Sequence, residues 1–394
     1  MKLKYKIYIL TGLFLILIVI AFLSNNQFLV KNFTSQSNFE EFNSNNQNLD
    51  KDSNKEKNID AENRKYENLS FKPAILNEED KKISKKRIYK FQLEQNLKVE
   101  FPVPEGLFRY SIVDNDLYFA DQSHQIWKLN LNSLTPNKLV ETGKAPHENQ
   151  NVSSVMAHDE DLYIVDIDKR SFRRQDFDGN VIKQDLKLNY ITYNGIYLNK
   201  NYGISLRDDK ANSAFEVYNF DSSKIQKEYN LVELFNLKRD QEFAEIITEG
   251  YFIGDFNMGT IYMPGRFGEF IMFDSLGGIK YRGSTIDGTQ KPRVKTEKVF
   301  GNSYMYVREP DYYVNYSASM NSKKLIILSL DGEKSSHTNL DVYSVTNGEY
   351  LGSAKIDRFS EERPKEVILT TENDVWVLFE NYTFVKYNLN EDEV

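Results

Sequence analysis

Few side chains in this sequence are of types that do chemistry. The histidines are His124, His147, His158 and His337, and the 394 residues include no cysteine. Without cysteine the chain cannot form disulfides, thiolate nucleophiles, cysteine-bound zinc sites or iron–sulfur clusters. No two histidines have the spacing of a helical zinc site, and the glycine motifs of phosphate loops and nucleophile elbows are missing. We therefore predict no catalytic residue and no resident metal from linear motifs.

Three acids recur at comparable points of the chain and could act together. Asp121, Asp166 and Asp255 each end a short apolar run, and Arg207 and Glu380 occupy the nearest comparable positions elsewhere. If these runs line a central channel, the carboxylates converge at its mouth, where they could hold Ca²⁺ or a cationic group. A local role is the alternative, because an Asp at a strand end accepts hydrogen bonds from the next turn. The predicted ligand-binding residues are Asp121, Asp166, Arg207 and Asp255.

A second candidate surface lies between residues 285 and 322, where basic and tyrosine side chains are interspersed. Tyrosine and arginine are frequent anchors in protein recognition. Two arrangements are open: an ordinary strand of the domain with packed aromatic rings, or a projecting segment that contacts a partner. The residues assigned to this partner surface are Arg293, Tyr304, Tyr306, Tyr312 and Tyr313.

The elements that position these residues repeat along the chain. From residue 85 onward, short apolar runs alternate with turns rich in Asp, Asn and Gly, and LVELFNLKRDQEF is the one predicted short helix. At about 50 residues each, the copies match a four-stranded propeller blade. We therefore predict an all-β fold, a six-bladed β-propeller whose last blade is completed by an early strand. The six copies open at Asp116, Asp161, Asn201, Gly250, Lys323 and Asn373.

The repeat resembles a known family. The segment LYFAD at 117–121, followed by His124 and IWKL at 126–129, is similar to the NHL-type propeller repeat, although Gln125 stands where that repeat has Arg. Residues 162–177 and 251–262 look similar. The whole resembles the six-bladed, TolB-like propellers of exported bacterial proteins. The resemblance implies a fold and carries no activity over to this chain.

The amino-terminal segment predicts a membrane anchor. Lysines precede residues 7–23, an uncharged run that is long enough for a short membrane-spanning helix. No small-residue pair is well placed for signal peptidase, which favours an uncleaved signal anchor over a cleaved signal. The positive-inside bias then exports the rest of the chain. The predicted domains are the anchor at 1–23, a low-complexity flexible linker at 24–84 and the propeller at 85–394.

The composition also limits the partners. A formal net charge of −8 gives no general attraction to nucleic acid, which we therefore exclude as a partner. The sequence predicts a single-pass protein of the cytoplasmic (inner) membrane whose extracytoplasmic propeller is a binding or assembly module for a protein, peptide or envelope ligand. No cofactor is predicted, although Ca²⁺ is possible. The alternative is a propeller enzyme, a gluconolactonase-like hydrolase with a metal ion in the central channel.

Overall fold

The computed structural model describes residues 86–391 apart from 105, 191, 208–212, 238–240, 301–302, 310–312, 331–336 and 358–361. The predicted anchor and linker, residues 1–84, lie outside this part of the chain. Within it, no helix is long and apolar enough to cross a membrane. The described residues form six four-stranded antiparallel sheets and one separate two-stranded hairpin. Each sheet is a propeller blade, which confirms the predicted all-β, six-bladed architecture.

The blades are numbered along the chain, and the strands of each are given from the innermost to the outermost. The first described strand, β1 (Phe91–Glu100), belongs to blade 6. Blade 1 contains β2 (Phe108–Val113), β3 (Asp116–Ala120), β4 (Ile126–Asn130) and β5 (Thr135–Val140); blade 2 contains β6 (Val152–His158), β7 (Asp161–Asp166), β8 (Ser171–Asp176) and β9 (Val181–Lys187). Blade 3 contains β10 (Thr192–Asn199), β11 (Tyr202–Arg207), β12 (Ala214–Asn219) and β13 (Lys224–Asn230).

The second half of the ring has the same plan. Two short helices, α1 (Leu231–Leu234) and α2 (Ala244–Ile247), and a 3₁₀ turn at Gln241–Phe243 connect blades 3 and 4. Blade 4 contains β14 (Gly250–Asp255), β15 (Gly259–Pro264), β16 (Glu269–Phe273) and β17 (Ile279–Ser284); the separate hairpin contains β18 (Arg293–Phe300) and β19 (Ser303–Glu309). Blade 5 contains β20 (Asn315–Met320), β21 (Lys324–Leu330), β22 (His337–Ser344) and β23 (Tyr350–Asp357); blade 6 contains β24 (Pro364–Leu369), β25 (Asp374–Phe379), β26 (Thr383–Glu391) and then β1.

The burial of the strands follows their place in each blade. Second strands such as β7 are buried almost throughout, because both faces of a blade pack against its neighbours. Outer strands such as β13 are largely exposed. The apolar clusters lie between adjacent blades, and one of them joins blade 6 to blade 1 through Phe101, Phe119 and Phe384. These interfaces hold the ring together.

The amino-terminal strand closes the ring, as the sequence predicted. β1 pairs with β26 from Phe91 opposite Glu391 to Glu100 opposite Thr383. The residues just before β1 contact blade 5 instead. There the Arg87 guanidinium donates to the fully buried Asp341 carboxylate at 2.9 and 3.1 Å. The start of the described chain therefore ties the last two blades together.

The meander defines two faces of the ring. The upper face carries the turns between second and third strands and the connections from one blade to the next, and the lower face carries the remaining turns. The first strand of each blade is the innermost, since β2 contacts β6 and β20 contacts β24 in neighbouring blades. Short polar side chains bridge these inner strands. For example, the Ala157 amide donates to Ser111 Oγ at 3.2 Å, and the Leu369 amide donates to Ser319 Oγ at 2.9 Å.

The hairpin β18–β19 lies outside the six blade sheets, in the connection from blade 4 to blade 5. This connection belongs to the upper face, as does the helical connection from blade 3 to blade 4. The two connections pack together, because β18 contacts α2 and the ring of Tyr306 lies 5.6 Å from that of Phe243. Of the segment 285–322, residues 293–300 and 303–309 therefore form a separate hairpin, whereas residues 315–320 form an ordinary blade strand, β20.

Candidate functional site

Asp121 organises the turn that follows β3. Its buried carboxylate accepts hydrogen bonds from the backbone amides of Ser123 and Gln125, each at 2.9 Å, through Oδ1. The indole Nε1 of Trp127 donates to Oδ2 at 2.8 Å. Both carboxylate oxygens therefore bind groups of the same blade, as the local explanation predicts.

The other two acids also accept bonds from backbone amides. Asp166 is buried and accepts from the amides of Gln150 at 2.9 Å and Lys169 at 3.1 Å. Asp255 accepts from the amides of Asn257 at 2.7 Å and Met258 at 3.2 Å. All three carboxylates therefore stabilise turns through hydrogen bonds from backbone amides.

The three acids do not converge, which corrects the ring expected from the sequence. Asp166 belongs to the second strand of its blade, and Asp121 directly follows a second strand, so both lie at the upper face. Asp255 ends β14, which is a first strand, so it lies at the lower face. The fourth repeat copy opens at a first strand, whereas the other copies open at second strands. In the sequence, β14 has the same pattern as those second strands, an apolar run, and like β7 it ends in Asp. Within the described part of the chain, no three His, Asp or Glu side chains are grouped as for a metal ion.

Arg207 ends β11 in blade 3, and its guanidinium forms ion pairs within that blade. It pairs with the buried Glu216 and, at 3.2 Å, with Glu228. The hydroxyl of Tyr190 also donates to Glu216, at 2.6 Å. Arg207 therefore belongs to a polar network that links the strands of one blade.

A different arginine occupies the channel mouth. Arg109 lies at the upper end of β2, the innermost strand of blade 1, and adopts a left-handed backbone with φ of 56°. Few residues other than glycine adopt this conformation, which costs about 1–3 kcal/mol. Its guanidinium carbon lies 4.2 Å from the centre of the Phe108 ring. Burial lowers the pKa of Arg109, and the nearby Glu366 carboxylate opposes that shift.

Glu366 faces Arg109 from β24, the innermost strand of blade 6. Burial raises the pKa of Glu366 to about 7, against the opposing effects of a Ser317 hydrogen bond and the Arg109 charge. Ser317 Oγ donates to Glu366 Oε2 at 2.6 Å and accepts from the Val367 amide at 3.2 Å. At neutral pH this carboxyl is therefore about half protonated.

Two buried donors at the channel mouth lack a partner. Among the residues that the structure describes, neither Arg109 Nε nor the Tyr251 hydroxyl has a hydrogen-bond acceptor. Tyr251 lies on β14 of blade 4, opposite blade 1 in the ring, and β2 and β14 contact each other across the channel. This cluster of Arg109, Tyr251 and Glu366 was not predicted from the sequence. The signals for it were an arginine and a glutamate within short apolar strands, FRYSIV and PKEVIL.

The structure places the predicted partner surface on and beside the hairpin. Arg293 is exposed on β18, and Tyr306 on β19 is 54% exposed. Tyr304 also lies on β19, but its side chain is outside the described part of the structure, as is all of Tyr312. The guanidinium of Arg266 lies 4.2 Å from the ring centre of Tyr313.

The hairpin surface adjoins the channel mouth. Arg308 of β19 forms an ion pair with Glu249 at 2.6 Å, and the ring of Tyr313 lies 6.2 Å from that of Tyr316 on β20. Tyr313 is also within electrostatic range of Arg109. One continuous region of the upper face therefore contains exposed tyrosines, several ion pairs and the entrance to the channel.

Solved structures resemble this chain at low identity and low TM-score. No family model and no curated protein matches it. A member of the DUF4221 family from Bacteroides vulgatus has a TM-score of 0.46 and 10% identity, over 77% of this chain and 99% of that one. The Swd1 β-propeller domain from Myceliophteria thermophila has a TM-score of 0.43 and 8% identity, over 76% and 100%. BamB from Moraxella catarrhalis has a TM-score of 0.37 and 7% identity, over 71% of each chain. At these values the likeness says nothing about what this chain binds.

Proposed function

We propose that this protein is a membrane-tethered, extracytoplasmic propeller that binds a protein or peptide of the cell envelope through its upper face. The uncharged run at residues 7–23, preceded by lysines, supports a single-pass anchor in the cytoplasmic membrane. The polar linker at 24–84 would let the propeller reach away from the bilayer. The repeat at 117–129 supports placing the propeller in the NHL-like or TolB-like group.

The hairpin β18–β19 is the observation that carries this proposal. It takes no part in any blade, and Tyr306 on its second strand is largely exposed. Among the described residues, the exposed tyrosines are Tyr89, Tyr306, Tyr313 and Tyr316. Three of these four lie on the upper face around the hairpin. A cluster of exposed tyrosines with arginines nearby is typical of a protein-binding surface.

Site-specific photo-crosslinking in the native membrane tests this proposal. A photoreactive phenylalanine analogue would replace Tyr306 in the full-length chain, and Leu276 would serve as the matched control. Both side chains are 54% exposed, but Leu276 lies in a lower-face turn between β16 and β17. We expect a discrete adduct of defined mass from position 306 and none from 276. No adduct at 306, or the same adducts from both positions, would contradict binding through the upper face.

A further inference from the structure

We propose that the channel mouth binds a carboxylate group, which is held by the Arg109 guanidinium and the Tyr251 hydroxyl on the inner strands of opposite blades. Both groups have buried donor atoms without an acceptor among the described residues. Leaving a buried donor unsatisfied is unfavourable, so each is a group that a bound acceptor would stabilise. The acceptor would reach them from the upper face.

The backbone of Arg109 supports the same inference independently. Its left-handed conformation belongs to a β-bulge, where β2 shifts register against β3 between Phe108 and Tyr110. Strained residues persist where the surrounding structure enforces them, and they cluster at ligand sites. The Phe108 ring, 4.2 Å from the guanidinium carbon, restricts the orientation of the side chain. The bulge and the ring contact therefore limit the positions that the arginine can take.

The charge at the mouth favours a carboxylate over a phosphate. The planar guanidinium fork binds both groups in a bidentate manner. A phosphate dianion, however, would bring two negative charges beside one arginine and an ionisable glutamate, whereas a carboxylate brings one. The titratable and charged groups that face Glu366 are Arg109 and Tyr110 of β2, Tyr251 of β14, Tyr316 of β20 and Lys365 of its own strand.

Glu366 makes the proposed site sensitive to pH. A bound carboxylate repels an ionised Glu366, so binding favours the protonated side chain, and proton uptake approaches one only above the pKa of Glu366. Since the pKa of Glu366 is raised to about 7, the side chain is mostly protonated at pH 6 and mostly ionised at pH 8. If only the protonated form binds the ligand, the apparent affinity falls about tenfold between pH 6 and pH 8.

The test measures the melting temperature of the full-length chain in detergent, in carboxylate-free buffers, as sodium acetate is added. Sodium chloride at equal ionic strength is the reference. We expect acetate to raise the melting temperature more than chloride does, with an affinity about tenfold higher at pH 6 than at pH 8. Acetate and chloride with equal effects at both pH values would overturn the proposal.

Three variants separate the roles of the residues. Arg109→Gln should lose the acetate effect, whereas Arg170→Gln should keep it. Arg170 is the matched control, because it also has a left-handed backbone, with φ of 51°, but lies in the turn after β7. Glu366→Gln should bind acetate with the same affinity at pH 6 and pH 8. This variant keeps Arg109, so it tests the site even if Arg109→Gln does not fold. An unchanged acetate effect in Arg109→Gln, or a pH dependence that persists in Glu366→Gln, would contradict the assignment.

A free carboxylate and the terminus of a peptide offer the same chemistry, and a second pair of probes distinguishes them. N-acetyl-triglycine carries a terminal carboxylate, and its amide does not. Binding of the acid but not the amide, at lower concentrations than acetate, would identify a peptide terminus as the source. Equal affinities for acetate and the acid would identify a small free carboxylate. This site rests on the proposed function of the upper face but not on the hairpin. Crosslinking at Tyr306 tests binding through the hairpin, and the acetate titration tests binding at the channel mouth. Either experiment can give a negative result without the other.

Discussion

A chain that lacks residues 86–101 is expected to lose cooperative folding. The deletion removes all of β1 and leaves the edge of β26 without its partner strand. It also removes Phe91 and Phe101, each 4% exposed and each contributing about 1.5–3 kcal/mol through burial. Without Arg87, the buried Asp341 carboxylate also loses its ion pair. Together these losses approach the 5–15 kcal/mol that typically separates a folded domain from its unfolded state, so we expect a broad, non-cooperative melt by circular dichroism.

A circular permutant is the matched control for this deletion. Phe91 lies opposite Glu391, so residues 86–101 can be moved to follow Glu391 through a short glycine linker. The permutant contains the same strand in the same place and should melt in a single transition close to that of the parent domain. If the deleted chain melted like the full-length protein, β1 would not close the ring.

Asp121→Ala should destabilise the propeller by about 3–5 kcal/mol. The substitution removes the acceptor of two backbone amides and of the Trp127 indole, and it leaves these donors without a partner in the turn after β3. Urea unfolding followed by tryptophan fluorescence would measure the loss. The effect should be the same with and without added Ca²⁺, because it comes from the turn and not from a bound ion.

Asp255→Ala serves as the comparison for this measurement. Asp255 is only partly buried and accepts from two backbone amides, so its loss should cost about 1 kcal/mol. The two acids occur at comparable points of the sequence, but they differ in burial and in the number of hydrogen bonds they accept. Equal and small effects of the two substitutions, together with loss of a calcium-dependent rise in melting temperature, would instead favour ligation.

Local sequence patterns were sufficient to predict most of the fold. The alternation of apolar runs and turns predicted six blades, and the apolar segment before residue 100 predicted the strand that closes blade 6. The segment LVELFNLKRDQEF was predicted as one short helix; its first four residues form α1, its last three form the 3₁₀ turn, and a second helix, α2, follows directly. Each of these features depends on residues close together in the chain or on the repeat itself.

The position of the acids could not be predicted in the same way. A strand that ends in Asp looks alike whether it is the first or the second of its blade, yet the two kinds of strand end on opposite faces. In blade 4 the true second strand, β15, ends in Pro264 and is followed by Gly265, so no acid marks it. Since β14 is an apolar run that ends in Asp255, it looks equivalent to the second strands near Asp121 and Asp166, although it is a first strand.

The channel mouth was not predictable from local patterns. Arg109, Tyr251 and Glu366 lie on the inner strands of three different blades, and only closure of the ring brings those strands together. In the sequence each of the three is a single polar residue in a short strand. Their burial, the raised pKa of Glu366 and the unsatisfied donors are all properties of the assembled ring.

The metal content of the purified full-length chain tests the central claim most directly. The claim is that the acids organise turns and that the propeller is a binding module, whereas the alternative hydrolase requires a metal ion in the channel. Elemental mass spectrometry, together with melting curves before and after chelation, decides between them. We expect no stoichiometric ion and no change in melting temperature. One tightly held ion per chain, with a melting temperature that falls on chelation, would contradict this account.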